Sequence, residues 1–293
     1  MTGKIIKGIA GFYYVHDRHS KIYACKAKGI FRNRGIKPVV GDNVEFTVLD
    51  EAAAEGNIDG ILPRNNSLIR PASANVDQAL VVFSITRPDP NLNLLDRFLI
   101  MMMAQDIPVT ICFNKAELDG EEKRTEYREI YEKAGYPVIF TSTYEHEGIE
   151  TVRDLLRGKT TILAGPSGGG KSSLTNLIQP EAAMETGSIS EKIQRGKHTT
   201  RHAELFCVEE DTYLMDTPGF SSMYLEDMEA NELKYYFPEF AAYEEDCRFA
   251  ADCVHIGEPV CGVKEAIARG EISQSRYDNY HLLYQELKAK KRY

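Results

Sequence analysis

The sequence has no long hydrophobic run, few cysteines and no overall excess of positive charge. No apolar stretch approaches the roughly 18 to 20 residues needed to span a bilayer, and the N-terminal residues lack the cleavage site of a signal peptide. We therefore expect a cytoplasmic protein without membrane contact. The net charge of −9 argues against a surface that binds nucleic acid everywhere, because phosphate neutralisation needs clustered lysine and arginine.

The six cysteines are unevenly distributed. Cys25, Cys112 and Cys207 are scattered, whereas the other three lie in one short segment. This distribution suits reduced thiols and a single metal site better than a disulfide framework.

The length of 293 residues and 43% hydrophobic composition predict several domains. Short β-favouring segments separated by turn residues predict an all-β barrel of the OB type over residues 1–66. Alternating apolar strands and helical stretches then predict a central α/β P-loop domain over residues 67–224, with a parallel sheet covered on both faces. Residues 225–293 are acidic and predict a mostly helical domain.

Positive charge is concentrated at the N-terminal end. Residues 1–40 contain nine basic side chains against the single acid Asp17, an excess of +8, so the rest of the chain carries −17. This asymmetry favours a polyanion partner for the barrel over a merely solvated basic face. Aromatic residues interleave with the basic ones and fit either base stacking or core packing. They are Phe12, Tyr13, Tyr14, Tyr23 and Phe31.

The segment GPSGGGKS fits the phosphate-loop pattern G-x-x-x-x-G-K-[ST] and lies between an apolar strand and a helix. Its backbone N–H groups can surround the β-phosphate, Lys171 can neutralise the β and γ oxygens, and Ser172 can ligate Mg²⁺. The predicted nucleotide-binding residues here are Gly165, Pro166, Ser167, Gly168, Gly169, Gly170, Lys171, Ser172 and Ser173.

A second phosphate-site motif, Asp216-Thr-Pro-Gly219, follows the strand TYLMD. In P-loop enzymes this position holds the Mg²⁺-binding carboxylate and the glycine whose amide contacts the γ-phosphate. Between the two motifs, residues 180–202 lack regular periodicity. Thr199 or Thr200 in this segment could supply a second magnesium ligand, and Thr200 is the predicted one. Such a segment is expected to become ordered around the γ-phosphate.

Asn114-Lys115-Ala116-Glu117 follows the strand PVTICF and resembles the N-K-x-D motif with which GTPases recognise guanine. Glutamate replaces aspartate here and adds a methylene to the acceptor group. Ser142, after the strand PVIF, is the predicted backbone contact to the base. These residues predict guanine over adenine, because adenine has no N1–H and no amine at the position of the guanine 2-amino group.

The base motif precedes the phosphate loop, which reverses the usual order. With the barrel before it and a Cys/His cluster after it, the chain resembles the ribosome small-subunit-dependent GTPase A (RsgA) family of circularly permuted GTPases. The resemblance covers essentially the whole chain, with departures at Glu117, at Gly169 and in one extra residue between the first two clustered cysteines. It is carried by RPASANVDQALVVFS, NLLDRFL, NKAEL, GPSGGGKSSL, GKHTTRHAEL and DTPGF.

The resemblance implies GTP hydrolysis stimulated by the small ribosomal subunit, late in the assembly of that subunit. Its partners would be the subunit, its rRNA and GTP or GDP, and we expect a monomer. Phe220 stands where many GTPases have a water-orienting glutamine, and the resemblance assigns this role to His198. His198 could instead contact RNA or solvent. The predicted catalytic residues are Lys171, His198, Thr200 and Gly219.

Three cysteines and one histidine lie within fifteen residues, as Cys247-x5-Cys253-x-His255-x5-Cys261. Four ligands of this type predict one tetrahedral Zn²⁺ ion without an open coordination position, which is a structural site. Zinc would then stabilise a domain too small to build a sufficient core.

Two alternative functions remain open. A P-loop ATPase or small-molecule kinase is disfavoured by the guanine motif. A GTP-binding, RNA-binding module with negligible turnover is kept open by Phe220, because the usual water-orienting side chain is missing there.

Overall fold

The structure is a computed structural model that describes residues 1–29, 31, 35–69, 71–178, 203–216, 225 and 228–290. Its internal contacts divide the chain into two units. The first unit comprises Met1–Leu80, Ile149–Ala164 and Lys171–Phe220, and the second comprises Val81–Gly148, Gly165–Gly170 and Ser221–Tyr293. The domain boundaries at 66/67 and 224/225 stay predictions.

A closed five-stranded barrel occupies the N-terminal end, as predicted, in the order β1-β2-β3-β5-β4. Strands β3 and β5 pair in parallel and the other neighbours pair antiparallel. Alternate side chains point inward, so that Val44 and Phe46 are buried while Glu45 is exposed. The strands are β1 (Thr2–Ile9), β2 (Phe12–Asp17), β3 (Ile22–Ala27), β4 (Asn43–Asp50) and β5 (Glu55–Ile61), followed by the short pair β6 (Ser67–Leu68) and β7 (Ser73–Ala74).

Some aromatic residues of the barrel fill its core, whereas another is exposed and could stack on a base. Tyr23 and Phe31 are buried in the barrel core, and Tyr13 packs against it. Phe12 is 39% exposed. Base stacking is therefore open to Phe12 and closed to Tyr23 and Phe31.

A six-stranded sheet follows in the order β10-β9-β8-β11-β13-β12. Strands β9 and β10 pair in parallel, as do β11 and β13, whereas the edge strand β12 is antiparallel to β13. All residues of β8, β9 and β11 are buried, which explains their nearly continuous apolar sequences. The strands are β8 (Gln78–Ser84), β9 (Val109–Asn114), β10 (Val138–Thr141), β11 (Thr160–Ala164), β12 (Glu204–Glu209) and β13 (Thr212–Asp216).

Helices connect these strands. The side chain of Asn91 caps α1 by accepting a hydrogen bond from the Leu94 N–H at 3.0 Å. Helix α1 packs against β9, α2 against β10, and α3 against α4. The helices are α1 (Leu92–Met103), α2 (Glu121–Glu132), α3 (Ile149–Leu156) and α4 (Lys171–Ile178).

Among residues 228–290, the C-terminal part has three 3-10 segments and two α-helices, which agrees with the predicted mostly helical domain. Leu233, Phe237, Phe240, Tyr280 and Leu283 form its core together with the clustered cysteines. The 3-10 segments are Ala230–Tyr236, Pro238–Asp246 and Ala250–Asp252, and the helices are α5 (Gly262–Ala268) and α6 (Gln274–Ala289).

A buried ionic network joins α6 to α1 within the second unit. Arg276 donates to Asp96 Oδ1 at 2.5 Å and to Glu239 Oε1 at 2.8 Å, and Asn279 donates to Asp96 Oδ2 at 2.7 Å. Burial alone would lower the pKa of Arg276, but the two carboxylates raise it well above its ordinary value. Because removing one partner would leave a buried unpaired charge, these contacts hold α6 firmly on α1.

Candidate nucleotide and metal sites

The phosphate loop Gly165–Gly170 lies directly after β11 and before α4. Gly165 and Gly170 have φ of +131° and +91°. A Cβ at Gly165 would lie 2.1 Å from the Val82 oxygen, and one at Gly170 would lie 2.0 Å from Asn114 Nδ2. Both positions therefore require glycine for conformational and steric reasons. At these two glycines, the backbone of the loop packs closely against β8 and the base motif.

Helix α4 begins at Lys171, so the first turn contains Lys171, Ser172 and Ser173. Ser172 and Ser173 are exposed, and Lys171 is half-buried. The N–H groups of a first helical turn have no partner within the helix and carry a partial positive charge. The end of α4 that follows the phosphate loop thus offers donors and positive potential suited to phosphate.

Asp216 is the last residue of β13 and pairs with Leu163 of β11. It therefore lies level with the end of the strand that leads into the phosphate loop. His198, Thr199, Thr200 and Gly219 lie outside the described residues, and their roles stay predictions.

Asn114 connects the phosphate loop to the end of β10. It is 1% exposed, it accepts a hydrogen bond from Thr141 Oγ1 at 3.1 Å, and it donates to the Gly169 oxygen at 3.2 Å. In the parallel register, Asn114 stands directly opposite Thr141. The structure thus brings together three segments that the sequence analysis predicted separately: the phosphate loop, the base motif and the turn after β10.

The rest of the base motif forms a tight turn. Lys115 has φ of +63° and donates from Nζ to the Arg87 oxygen at 2.7 Å, and Ala116–Leu118 forms a 3-10 turn. Glu117 Oε2 is buried and has no hydrogen-bond partner in the described part of the chain. Leaving a buried acceptor unpaired costs free energy, so this oxygen favours a ligand that supplies a donor.

A second carboxylate close to the motif was not predicted. Asp119 Oδ2 is also buried without a hydrogen bond among the described residues, although Lys123 Nζ lies 3.7 Å away. The N-K-x-D spacing pointed to Glu117 alone, because Asp119 lies beyond the motif.

Ser142 begins the turn that follows β10. Its N–H donates to the Glu147 oxygen at 3.0 Å, and its hydroxyl accepts from the Glu145 N–H at 2.9 Å. These bonds fold residues 142–147 back on themselves. The carboxylate of Glu147 is held by Arg124 of α2, a residue that no sequence motif indicated because the two positions are 23 residues apart.

The four predicted zinc ligands lie together and are buried. All their ligand atoms lie within 4.8 Å of one another, and His255 Nδ1 is 3.6 Å from Cys247 Sγ and 3.4 Å from Cys261 Sγ. Zn–S bonds of about 2.3 Å in a tetrahedron place two sulfurs about 3.8 Å apart. The Cys247 and Cys261 sulfurs are 3.8 Å apart, so the cluster has the donors and the spacing for zinc.

Electrostatics also favour a cation in this cluster. Burial raises the pKa of the Cys253 thiol to about 12 and lowers the pKa of His255. The clustered cysteines could therefore be deprotonated side by side only with a compensating positive charge, which a bound Zn²⁺ would supply.

Residues that are not predicted ligands hydrogen-bond to the segment around His255 and hold it in place. Glu258 accepts hydrogen bonds from the N–H groups of Val254 at 2.7 Å and Ile256 at 2.8 Å, and Tyr277 donates to the His255 oxygen at 2.7 Å. His255 Nε2 lies 3.8 Å from Glu244 Oε1, an orientation that leaves Nδ1 for the metal. Nothing in the sequence indicated these supporting residues, because Glu244, Glu258 and Tyr277 have no fixed spacing relative to the ligands.

Part of the basic excess of the barrel is paired with acids. Lys7 binds Glu204, Lys21 binds Glu51 and Lys28 binds Asp59. Lys26 and Lys37 are exposed and have no acidic partner within the described residues. The ammonium group of Lys26 lies 5.0 Å from the ring centre of Phe12, so a cation and an exposed aromatic face lie side by side.

Comparison with known proteins identifies the family. A family model described as RsgA GTPase matches residues 61–226, and another described as RsgA N-terminal domain matches residues 2–58. The chain belongs to the RsgA GTPase family. It is therefore a GTP-hydrolysing enzyme with circularly permuted motifs, and the predicted family, barrel and central GTPase domain are confirmed.

Members of the RsgA family align with the chain over its full length. The Agathobacter rectalis protein named small ribosomal subunit biogenesis GTPase RsgA is 57% identical, with 100% of both chains covered. The protein of the same name from Alkaliphilus metalliredigens is 52% identical over 99% of both chains. No helix in the described part of this chain is long and apolar enough to cross a membrane.

Two solved structures share the fold. YjeQ from Thermotoga maritima is 37% identical, with a TM-score of 0.83 and 99% of both chains covered. YloQ, described as a circularly permuted GTPase, is 40% identical, with a TM-score of 0.79 over 100% of this chain and 96% of its own.

Proposed function

We propose that this enzyme is stimulated by the small ribosomal subunit and acts late in the assembly of that subunit through contact with rRNA. The observation that carries the proposal is the 57% identity, over both full chains, to a protein named small ribosomal subunit biogenesis GTPase RsgA. The basic, partly aromatic surface of the barrel is chemically suited to RNA. We further propose that the enzyme is a cytoplasmic monomer.

For GTP binding we assign the residues predicted from the motifs. Glu117 accepts from guanine, the phosphate-loop amides contact the β-phosphate, and Lys171 neutralises the β and γ oxygens. The unpaired Glu117 oxygen supports the first assignment. The full set is Asn114, Lys115, Ala116, Glu117, Ser142, Gly165, Pro166, Ser167, Gly168, Gly169, Gly170, Lys171, Ser172 and Ser173.

For hydrolysis, Ser172, Thr200 and Asp216 would hold Mg²⁺, which neutralises charge that develops on the phosphate oxygens. The amide of Gly219 would bind the γ-phosphate. The neutral imidazole of His198 would accept a hydrogen bond from water and orient it toward the γ-phosphorus. One zinc ion bound by Cys247, Cys253, His255 and Cys261 would be structural, since four protein ligands leave no position for substrate.

The His198 assignment predicts a selective loss of turnover. His198→Ala should lower kcat by about two to three orders of magnitude and leave the Kd of GTP nearly unchanged, because orienting water contributes to the reaction and little to ground-state binding. Single-turnover hydrolysis with small subunits, alongside nucleotide titration, measures both quantities. A loss confined to ribosome affinity would reassign His198 to RNA contact.

The rRNA assignment predicts a loss of ribosome binding when two barrel lysines that have no acidic partner among the described residues are reversed in charge. Lys26→Glu with Lys37→Glu should weaken binding to small subunits and reduce the salt dependence of that binding by about 0.7–0.9 in log–log slope for each phosphate group that the variant no longer neutralises. Ribosome-stimulated hydrolysis should fall accordingly, whereas hydrolysis without ribosomes should stay unchanged.

The control for this double variant makes the same change in charge elsewhere. Arg157→Glu with Arg269→Glu alters two exposed residues that already neighbour acids, Asp154 and Glu271. It should bind small subunits like the wild type. If both double variants bind with wild-type affinity and salt slope, the barrel surface is not the rRNA contact.

A further inference from the structure

Arg124 of α2 links the two segments assigned to the guanine base. Its Nη1 donates to Glu147 Oε1 at 2.7 Å, and its Nη2 donates to Glu147 Oε2 at 3.0 Å and to the Ala116 oxygen at 3.2 Å. Ala116 lies in the base motif, and Glu147 closes the turn that begins at Ser142. A single guanidinium thus holds both segments, with a fork geometry that suits a carboxylate.

The surroundings restrict the Arg124 side chain to this position. It is only 18% exposed, and its guanidinium lies 5.8 Å from the ring centre of Phe140 in β10. The neighbouring Gly148 has φ of +71°, and a Cβ there would lie 2.3 Å from the Phe140 oxygen. The turn that presents Glu147 is therefore packed tightly on the end of β10.

Asn114 and Lys115 anchor the start of the base motif, through bonds with Thr141, Gly169 and the Arg87 oxygen, but these bonds do not hold the Glu117 side chain. Glu117 Oε2 has no hydrogen bond from the described residues, so its own side chain does not fix its position. The main-chain turn Ala116–Leu118 has to do so, and Arg124 binds the first carbonyl of that turn. Loss of this bond would let the turn shift relative to Ser142, and small displacements in a recognition site have large effects on binding.

We infer that Arg124, clamped by Glu147, is a positioning residue that sets the spacing between the base motif and the Ser142 turn and thereby determines selectivity for guanine. The inference rests on the proposed assignment of Glu117 and Ser142 to the base. Arg124 itself does not contact the nucleotide in this proposal. Its effect should appear in the ratio of affinities for GTP and ATP, because the phosphates of both nucleotides bind the same loop.

The experiment measures the Kd values of GTP and ATP with the full-length protein, Mg²⁺ and zinc, well below the unfolding temperature. Arg124→Met should weaken GTP about tenfold, roughly 1.4 kcal/mol, and leave ATP unchanged, so that the GTP/ATP preference falls about tenfold. Arg124→Lys keeps the positive charge on a single donor nitrogen, so it should retain part of the preference. Arg124→Met in a Glu147→Gln background should add little, because both changes remove the same contact.

Arg128→Met is the matched control. Arg128 lies one turn further along α2, is about half exposed, pairs with Glu132, and has its guanidinium 5.2 Å from the same Phe140 ring. It should keep the wild-type preference. An equal loss of the GTP/ATP preference in Arg128→Met would attribute the effect to stacking on Phe140 and contradict the positioning role of Arg124.

Glu117→Ala separates this inference from the base assignment. If Glu117→Ala removes the GTP preference while Arg124→Met and Glu147→Gln both retain it, the positioning role is wrong and the base assignment stands. If Glu117→Ala also retains the preference, the base assignment itself is wrong. Should Arg124→Met fail to fold, Glu147→Gln and Arg124→Lys decide, and wild-type preference in both would overturn the inference.

Discussion

Lys171→Ala should reduce GTP hydrolysis by roughly 10²–10³-fold or more, an effect typical of removing one preorganised charge or donor from a transition state. In the proposed assignment, the ammonium group of Lys171 at the start of α4 neutralises the β and γ oxygens, where charge increases as the terminal bond breaks. The neighbouring Ser172→Ala should instead raise the Mg²⁺ concentration needed for binding, because the hydroxyl is the assigned metal ligand. Phosphate release and nucleotide titration over a range of Mg²⁺ concentrations distinguish the two losses.

Lys288→Ala is the control, since Lys288 is an exposed lysine near the end of α6, far along the chain from every nucleotide motif. It should hydrolyse GTP at the wild-type rate. Unchanged turnover in Lys171→Ala would contradict the phosphate-loop assignment, whereas equal losses in both variants would indicate a nonspecific effect of the charge.

The parts of the fold that the sequence predicted are those with local signals. The phosphate loop is one continuous segment, and the steric need for glycine at Gly165 and Gly170 is satisfied by the motif itself. The zinc ligands likewise fall within fifteen residues, and the structure brings all four together. For the barrel, short β-favouring segments separated by turn residues were sufficient to predict an all-β fold, and the structure shows five strands.

Contacts between residues far apart in the chain were not predictable in this way. Arg124 and Glu147 are separated by 23 residues, and Arg276 and Asp96 by 180. Each is an ordinary charged residue in a chain that is 27% charged, so nothing marks it as buried or paired. The strand AELFCV was predicted as part of the parallel sheet, and its direction was wrong, because β12 is antiparallel to β13. Strand direction depends on the connection between strands and not on the residues of the strand.

The excess of basic residues in 1–40 overstates the positive charge that the barrel surface can offer to RNA. Lys7, Lys21 and Lys28 bind carboxylates, and burial lowers the pKa of Lys4, whose Nζ donates to Thr160 Oγ1 at 3.2 Å. Such pairing cannot be counted from composition. These pairs reduce the positive charge available to RNA, so Lys26 and Lys37, which have no acidic partner among the described residues, are the informative positions to reverse.

Removal of zinc should unfold much of the C-terminal part. Structural zinc contributes about 10–16 kcal/mol in small zinc-dependent peptides, and here its loss would leave buried cysteines and His255 within the core that includes Phe240 and Tyr280. Cys253→Ser should therefore bind less than one zinc ion per chain and unfold at a clearly lower temperature. Because Arg276 fastens α6 to α1, the destabilisation should extend to α1.

Cys207→Ser provides the matched control for this loss. Cys207 is half-buried in β12 and lies outside the metal cluster, and its Sγ donates to the Glu209 oxygen at 3.2 Å. The variant should keep one zinc ion and nearly wild-type stability, since only a thiol-to-hydroxyl change at a strand edge is made. Hydrogen exchange should then show faster exchange in α6 and α1 for Cys253→Ser only. Full zinc occupancy in Cys253→Ser would contradict the assignment of the ligands. Unchanged exchange in α1 would show that the Arg276 network does not transmit the destabilisation from α6 to α1.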